Sequence, residues 1–92
     1  MKNVSMTYSE EEKAWLSPLI TEQRNFYLMI KLKSAGKVVL RQMDRNGEFP
    51  MVPIKKHRNS LSFNLRISIN APSSTFQIFT SSEPIIIRYA YI

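Results

Sequence analysis

The sequence predicts a mainly β fold, an antiparallel barrel or sandwich of about six strands with a short N-terminal helix. The first observation is residues 61–69, where five apolar residues alternate with four polar ones. That alternation buries one face of a strand and leaves the other in water. The second is the lack of any helical pattern after residue 22, which makes the connections short and neighbouring strands antiparallel. The 92 residues predict one domain, with 1–22 as a helical segment and 23–92 as the sheet body.

The helix is predicted to begin at Ser9. Ser9 and Glu12 have the spacing of a capping box, in which the serine hydroxyl accepts a hydrogen bond from the first helical turn. Pro18 lacks the amide that an unbroken helix needs, so we expect a break at Ser17. The apolar side of this helix, which we expect to cover one end or face of the sheet, consists of Trp15, Leu16, Leu19 and Ile20.

The strands follow from apolar alternation and turn residues. Residues 26–33 alternate cleanly, and 37–43 is expected to return beside them after a turn at 34–36. Residues 44–47 contain Asn and Gly and predict a second turn. Pro50 and Pro53 predict that a third strand, 49–55, is short, bulged or at an edge of the sheet. Residues 75–80 and 85–92 complete the sheet around 61–69, and the last strand, apolar on both faces, is expected to be central or covered.

Composition excludes several classes of protein. There is no cysteine, so disulfides and thiolate metal sites are excluded. The N-terminus lacks the apolar stretch of a secretory signal, and no apolar run reaches the roughly 20 residues that cross a bilayer. We therefore expect a cytoplasmic protein that contacts no membrane.

Catalytic chemistry finds few candidate residues. His57 is the single histidine and stands among Lys55, Lys56 and Arg58, which disfavour both its protonation and metal binding. The two glycines, Gly36 and Gly47, are too far apart for a phosphate-binding loop. We expect no enzyme activity, no metal site and no cofactor.

Charge is distributed unevenly along the chain. Residues 1–22 carry two lysines against four glutamates, whereas 23–92 carry eleven Lys and Arg against three acidic residues. A basic sheet body favours an acidic protein surface or nucleic acid as partner. The candidate binding residues are an aromatic ring among cations in the predicted first hairpin and the basic run after it: Tyr27, Lys31, Lys33, Arg41, Lys55, Lys56 and Arg58.

The last strand offers a candidate protein interface. Its second face carries Ile86, Arg88, Ala90 and Ile92. If the N-terminal helix leaves this face uncovered, it forms an apolar patch suited to self-association or to addition of a partner strand. If the helix covers it, the patch is ordinary core.

Pro84–Tyr91 resembles the terminal β-strand of the accessory sandwich in sialate O-acetylesterases. The resemblance covers eight residues, and nothing in the chain corresponds to the catalytic serine of that family. It implies a strand and no activity.

The leading functional hypothesis from sequence is a non-enzymatic protein-interaction module that self-associates or binds an acidic partner. The alternative is a nucleic-acid-binding protein that uses the basic sheet face and the 55–58 loop.

Overall fold

The computed structural model describes residues 1–44, 46–48, 55–69 and 72–92. These residues form β-strands and contain no helix. The strands in chain order are β1 (Lys2–Asn3), β2 (Thr7–Ser9), β3 (Ala14–Leu16), β4 (Ile20–Glu22), β5 (Phe26–Gly36), β6 (Val38–Gln42), β7 (Lys55–Lys56), β8 (Ser60–Ile67), β9 (Ser74–Thr80) and β10 (Pro84–Tyr91).

The strands form two antiparallel sheets. The first sheet has the order β1-β10-β5-β8, and the second has β2-β3-β9-β6-β7, with β4 also paired to β9. The two sheets of the described residues do not close into a barrel. Of the two predicted architectures, the layered one is present, and the last strand is central, between β1 and β5.

The core lies between the two sheets. Every second residue of β5 from Phe26 to Leu32 is buried. These side chains meet Val38, Leu40 and Ile78 of the second sheet in one apolar cluster. The alternation that predicted strand 26–33 therefore also identifies its inward face.

β8 confirms most of the predicted alternation. Phe63, Leu65 and Ile67 are buried, but Leu61 is 52% exposed, so its prediction as a core residue was wrong. The register explains the difference. Lys31 of β5 pairs with Ser62, whereas the next pair joins Gly36 to Ser60, which leaves extra residues in β5. An irregularity of this kind bends the strands apart and turns the start of β8 away from the core.

The predicted N-terminal helix was wrong, because residues 1–22 form four short strands. The capping-box bond itself is present, since the Glu12 amide donates to Ser9 Oγ at 3.1 Å. It closes one turn between β2 and β3, and Lys13 leaves that turn at φ 52°. Trp15 then pairs with Tyr8 on one side and Thr80 on the other. Sheet pairing on both sides of β3 thus outweighs a helix that Pro18 already keeps short.

Ser17, where a break in the helix was predicted, instead lies between strands β3 and β4. β3 and β4 both pair with β9, and the chain leaves the ladder between them. Ser17 bridges the gap: its amide donates to the Ile78 carbonyl at 2.9 Å, and its Oγ accepts from the Ile78 amide at 2.9 Å. A buried hydroxyl therefore takes the place of a missing backbone acceptor.

The predicted hairpin between 26–33 and 37–43 was also wrong. β5 continues through Gly36, and β6 belongs to the other sheet, so the chain crosses between layers at Lys37. Gly36 is required there by close approach. A Cβ at Gly36 would meet Ser81 Oγ at 2.8 Å and Ser82 Cβ at 2.9 Å. Ser81 also fixes the crossing, because its Oγ accepts from the Lys37 amide at 2.8 Å.

Two predictions lie partly outside the described residues. In the predicted turn 44–47, Arg45 is not described, but Asp44 Oδ1 accepts from the Asn46 amide at 2.9 Å and Gly47 has φ 79°. Of the predicted strand 49–55, which contains Pro50 and Pro53, only Lys55 is described, and it begins β7.

Two leucines of β8 test the assignment of its faces. Leu65 is 5% exposed and Leu61 is 52% exposed, so the same truncation removes core packing at one position only. We expect Leu65→Ala to lower the free energy of unfolding by about 2–5 kcal/mol and Leu61→Ala by under about 1 kcal/mol. Urea denaturation measures both. Equal losses would contradict the assignment.

Candidate binding surface

The outer face of the first sheet is a continuous surface across three long strands. β5 lies between β10 and β8, and its outward residues pair with outward residues of both neighbours. Three rows cross the strands in the order β10, β5, β8: Ile86, Lys31 and Ser62; Arg88, Met29 and Asn64; Ala90, Tyr27 and Arg66. We call these nine residues the cationic face.

The cationic face combines apolar side chains with a shallow depression at its centre. Met29 is half-buried, while Tyr27 is 47% exposed and Ile86 is 43% exposed. A depression of about 200 Å³ lies over Met29 and is bordered by Lys31 and Arg88. Exposed aromatic and aliphatic side chains beside cations can take part in both apolar contact and charge pairing.

Three cations of this face have no acidic partner among the described residues. Lys31, Arg66 and Arg88 form no salt bridge there, and none of the nine residues is acidic. The neighbouring Lys33 differs, since its Nζ lies 2.9 Å from Glu83 Oε2. The face therefore carries uncompensated positive charge, which attracts acidic groups from solution.

The structure brings together two sets that the sequence placed apart. Tyr27 and Lys31, predicted as binding residues, lie beside Ile86, Arg88 and Ala90, predicted as an interface. No helix covers this face in the described residues, so the alternative in which a helix buries it was wrong. Ile92 follows β10 and is exposed at its end.

Arg41 lies on another surface. It belongs to β6 in the second sheet, where its guanidinium packs 4.0 Å from the centre of the Phe79 ring. Its Nη2 is 3.9 Å from Glu12 Oε2. The predicted alignment of Arg41 with Tyr27 across one hairpin was therefore wrong, because β5 and β6 do not pair.

The basic run begins at the edge of both sheets. Lys55 and Lys56 form β7 beside β6, yet Lys55 Nζ donates to the Arg66 carbonyl of β8 at 2.7 Å. Arg58 is exposed. His57 is half-buried. Its ring lies edge-on to the Phe63 ring, with 6.0 Å between the two ring centres.

Sequence reasoning missed Arg66, Met29 and Asn64 as members of the surface. The alternation in 61–69 already placed Arg66 and Asn64 on the polar side of their strand. The alternation did not show that this strand pairs with β5, because strand pairing joins residues that are distant in sequence.

A second group of polar side chains links the two sheets. Glu22 of β4 is 6% exposed, and its carboxylate accepts from the Tyr89 hydroxyl at 2.5 Å and the Tyr91 hydroxyl at 2.7 Å. Lys2 Nζ lies 3.4 Å from the same carboxylate and 5.1 Å from the centre of the Tyr91 ring. The Arg24 guanidinium lies over that ring at 4.7 Å. We call this group the Glu22 cluster.

Hydrogen bonding decides the ionisation of the Glu22 cluster. Burial by itself raises the pKa of Glu22, but hydrogen bonds from Tyr89, Tyr91 and Lys2 outweigh burial and hold the pKa below 4.5. Burial, and then the bond to Glu22, raises the pKa of Tyr89 to about 12. A charged carboxylate and a neutral phenol are thus stable together over a wide pH range. The cluster joins β4 of one sheet to β10 of the other.

The described residues hold no group of three or more His, Asp and Glu side chains placed to bind a metal ion. No helix among them is long and apolar enough to span a membrane.

No protein-family model, curated protein or solved structure matches the chain.

The Glu22 cluster predicts a specific pH dependence. Because the pKa of Glu22 is lowered by folding, its stabilisation is present above pH 4.5 and is lost as the pH falls through the folded pKa. The raised pKa of Tyr89 makes stability fall as pH rises from 10 to about 12. We expect Glu22→Gln to lower the free energy of unfolding at neutral pH by about 1–3 kcal/mol and to flatten the acid decline. Urea denaturation across pH measures this.

The control is Glu11→Gln, which removes an exposed carboxylate. Identical pH profiles for the two variants would contradict a buried, hydrogen-bonded carboxylate at Glu22.

Proposed function

We propose that this protein is a non-enzymatic interaction module that binds an acidic protein surface through its cationic face. The observation that carries the proposal is the uncompensated charge of Lys31, Arg66 and Arg88 beside the exposed apolar side chains of Tyr27 and Ile86. Charge of one sign steers an oppositely charged partner, and apolar contact then supplies affinity.

The composition of the face supports a protein partner. Tyr, Met and Arg are residue types enriched at protein interfaces, and here Met29 and Arg88 share a row with Tyr27 in the next row. A flat sheet with one shallow depression fits the side chains of another folded surface better than a buried small molecule, which needs a deep cavity.

The edge of the first sheet is less suited to binding than its face. Along β8, Ser60 Oγ bonds to both the amide and the carbonyl of Ser62, at 3.4 and 3.1 Å. Lys55 Nζ takes the Arg66 carbonyl farther along the same strand. These side chains occupy backbone groups that an added strand needs, as is common in edges that resist pairing. At the β8 edge these bonds therefore favour binding at the face over extension of the sheet.

Nucleic acid is the alternative partner. Tyr27 lies beside Arg66, so one base could stack on the ring while the guanidinium holds a phosphate. Against this, Arg41 lies on the other sheet, and Tyr27 is the only aromatic residue in the three rows. One stacking position and three cations favour protein over single-stranded nucleic acid. The cytoplasmic location and the absence of a cofactor stay predictions.

The proposal is tested by titrating isotope-labelled protein with a short peptide rich in Glu and Leu, and separately with oligothymidylate, at physiological salt. We expect the peptide to shift amide resonances of the cationic face and Arg88→Glu to weaken peptide binding about tenfold. The control is Lys37→Glu, which makes the same charge change at an exposed residue in the connection from β5 to β6.

A peptide that leaves the cationic face unperturbed would contradict the proposal. Tighter binding of oligothymidylate than of the peptide at this face would replace it with the nucleic-acid alternative.

A further inference from the structure

The turn between β2 and β3 is an acidic projection. It contains Glu10, Glu11 and Glu12 in succession, all exposed. Glu12 lies 3.9 Å from Arg41, whereas Glu10 and Glu11 have no salt-bridge partner among the described residues. We call these three residues the acidic turn.

The acidic turn has a fixed shape. The hydrogen bond from the Glu12 amide to Ser9 Oγ closes the turn. The strands before and after it, β2 and β3, pair with each other. At its base the Tyr8 and Trp15 rings meet edge to face at 5.4 Å. Little conformational freedom is lost when a turn already held in this way contacts another surface.

Its charge is complementary to that of the cationic face. Among the described residues, Glu10 and Glu11 of the turn form no salt bridge, and neither do Lys31, Arg66 and Arg88 of the face. Lys31 and Arg88 border the depression over Met29, so an acidic side chain entering it approaches both cations. Opposite charges attract more strongly in such a partly desolvated depression than in bulk water.

A single molecule does not bring these surfaces together. The acidic turn belongs to the second sheet, whereas the cationic face is the side of the first sheet that is turned away from the second. The apolar core lies between the sheets. Contact between the turn and the face therefore requires two molecules.

We propose that the acidic turn of one molecule binds the cationic face of a second copy, a contact that rests on the proposed function of that face. The interface is heterologous, because it joins two different surfaces. Pairing of two cationic faces is opposed by their like charge. After a single contact the pair keeps one free turn on one molecule and one free face on the other, so the association closes into a ring or continues as a chain.

Sedimentation velocity of the full chain tests this proposal. Concentrations from about 10 µM to about 1 mM span the range of weak, transient interfaces. We expect association to grow with concentration at low salt and to be lost near 1 M salt, where the screening length falls to about 3 Å.

Two charge reversals identify the surfaces. Arg88→Glu alters the face and Glu11→Lys alters the turn, and each is expected to weaken association at least about tenfold. Lys37→Glu and Glu48→Lys are the controls, with the same charge changes at exposed residues outside both surfaces. Mixing Arg88→Glu with Glu11→Lys is expected to restore association, because the first variant keeps the turn and the second keeps the face.

A wild-type chain that stays monomeric at every concentration would overturn the inference, as would association that neither reversal weakens or that mixing fails to restore. The proposed function is judged separately by the acidic peptide. A monomer whose cationic face still binds that peptide removes self-association and leaves the proposed function standing, whereas failure of both removes the face as a binding surface.

Discussion

Packing of β5 against the second sheet is the constraint on which the rest of the structure depends. Leu28 and Leu32 are completely enclosed between the layers, together with Val38 and Leu40 of β6. Because side chains of a strand alternate, burying these residues forces Tyr27, Met29 and Lys31 to the opposite side. The cationic face is thus a direct consequence of how the core is built, and it needs no separate folding signal.

Two groups of contacts connect the two sheets around that core. At one end Gly36 lets the chain cross between sheets in close contact with Ser81 and Ser82. At the other end the Glu22 carboxylate accepts hydrogen bonds from the hydroxyls of Tyr89 and Tyr91. Directional bonds of this kind add specificity that apolar packing lacks, since a buried carboxylate is stable only where all its partners are in place. The strand pairing then sets the spacing of the outer residues of the first sheet.

The period of two residues was enough to predict strands 26–33 and 61–69 and their inward faces, except at Leu61, which is exposed. It was not enough to predict which strands pair, so the expected hairpin placed Arg41 beside Tyr27 and omitted Arg66. The N-terminal helix failed for a related reason. Its capping bond is local and is present, but the pairing of β3 with β9 is long-range and decides the conformation. The Glu22 cluster likewise joins residues 67 and 69 positions apart, which no local pattern reveals.

Cysteine accessibility along β5 tests the central claim most directly, because the chain has no cysteine of its own. The variants Tyr27→Cys, Leu28→Cys, Met29→Cys, Ile30→Cys and Lys31→Cys are treated with a thiol reagent under native conditions, and the reaction rates are compared. The account predicts rates that alternate, fast at positions 27, 29 and 31 and slow at 28 and 30, since only the first set is on the outer face. Uniform rates, or a maximum that recurs every third or fourth residue, would contradict it.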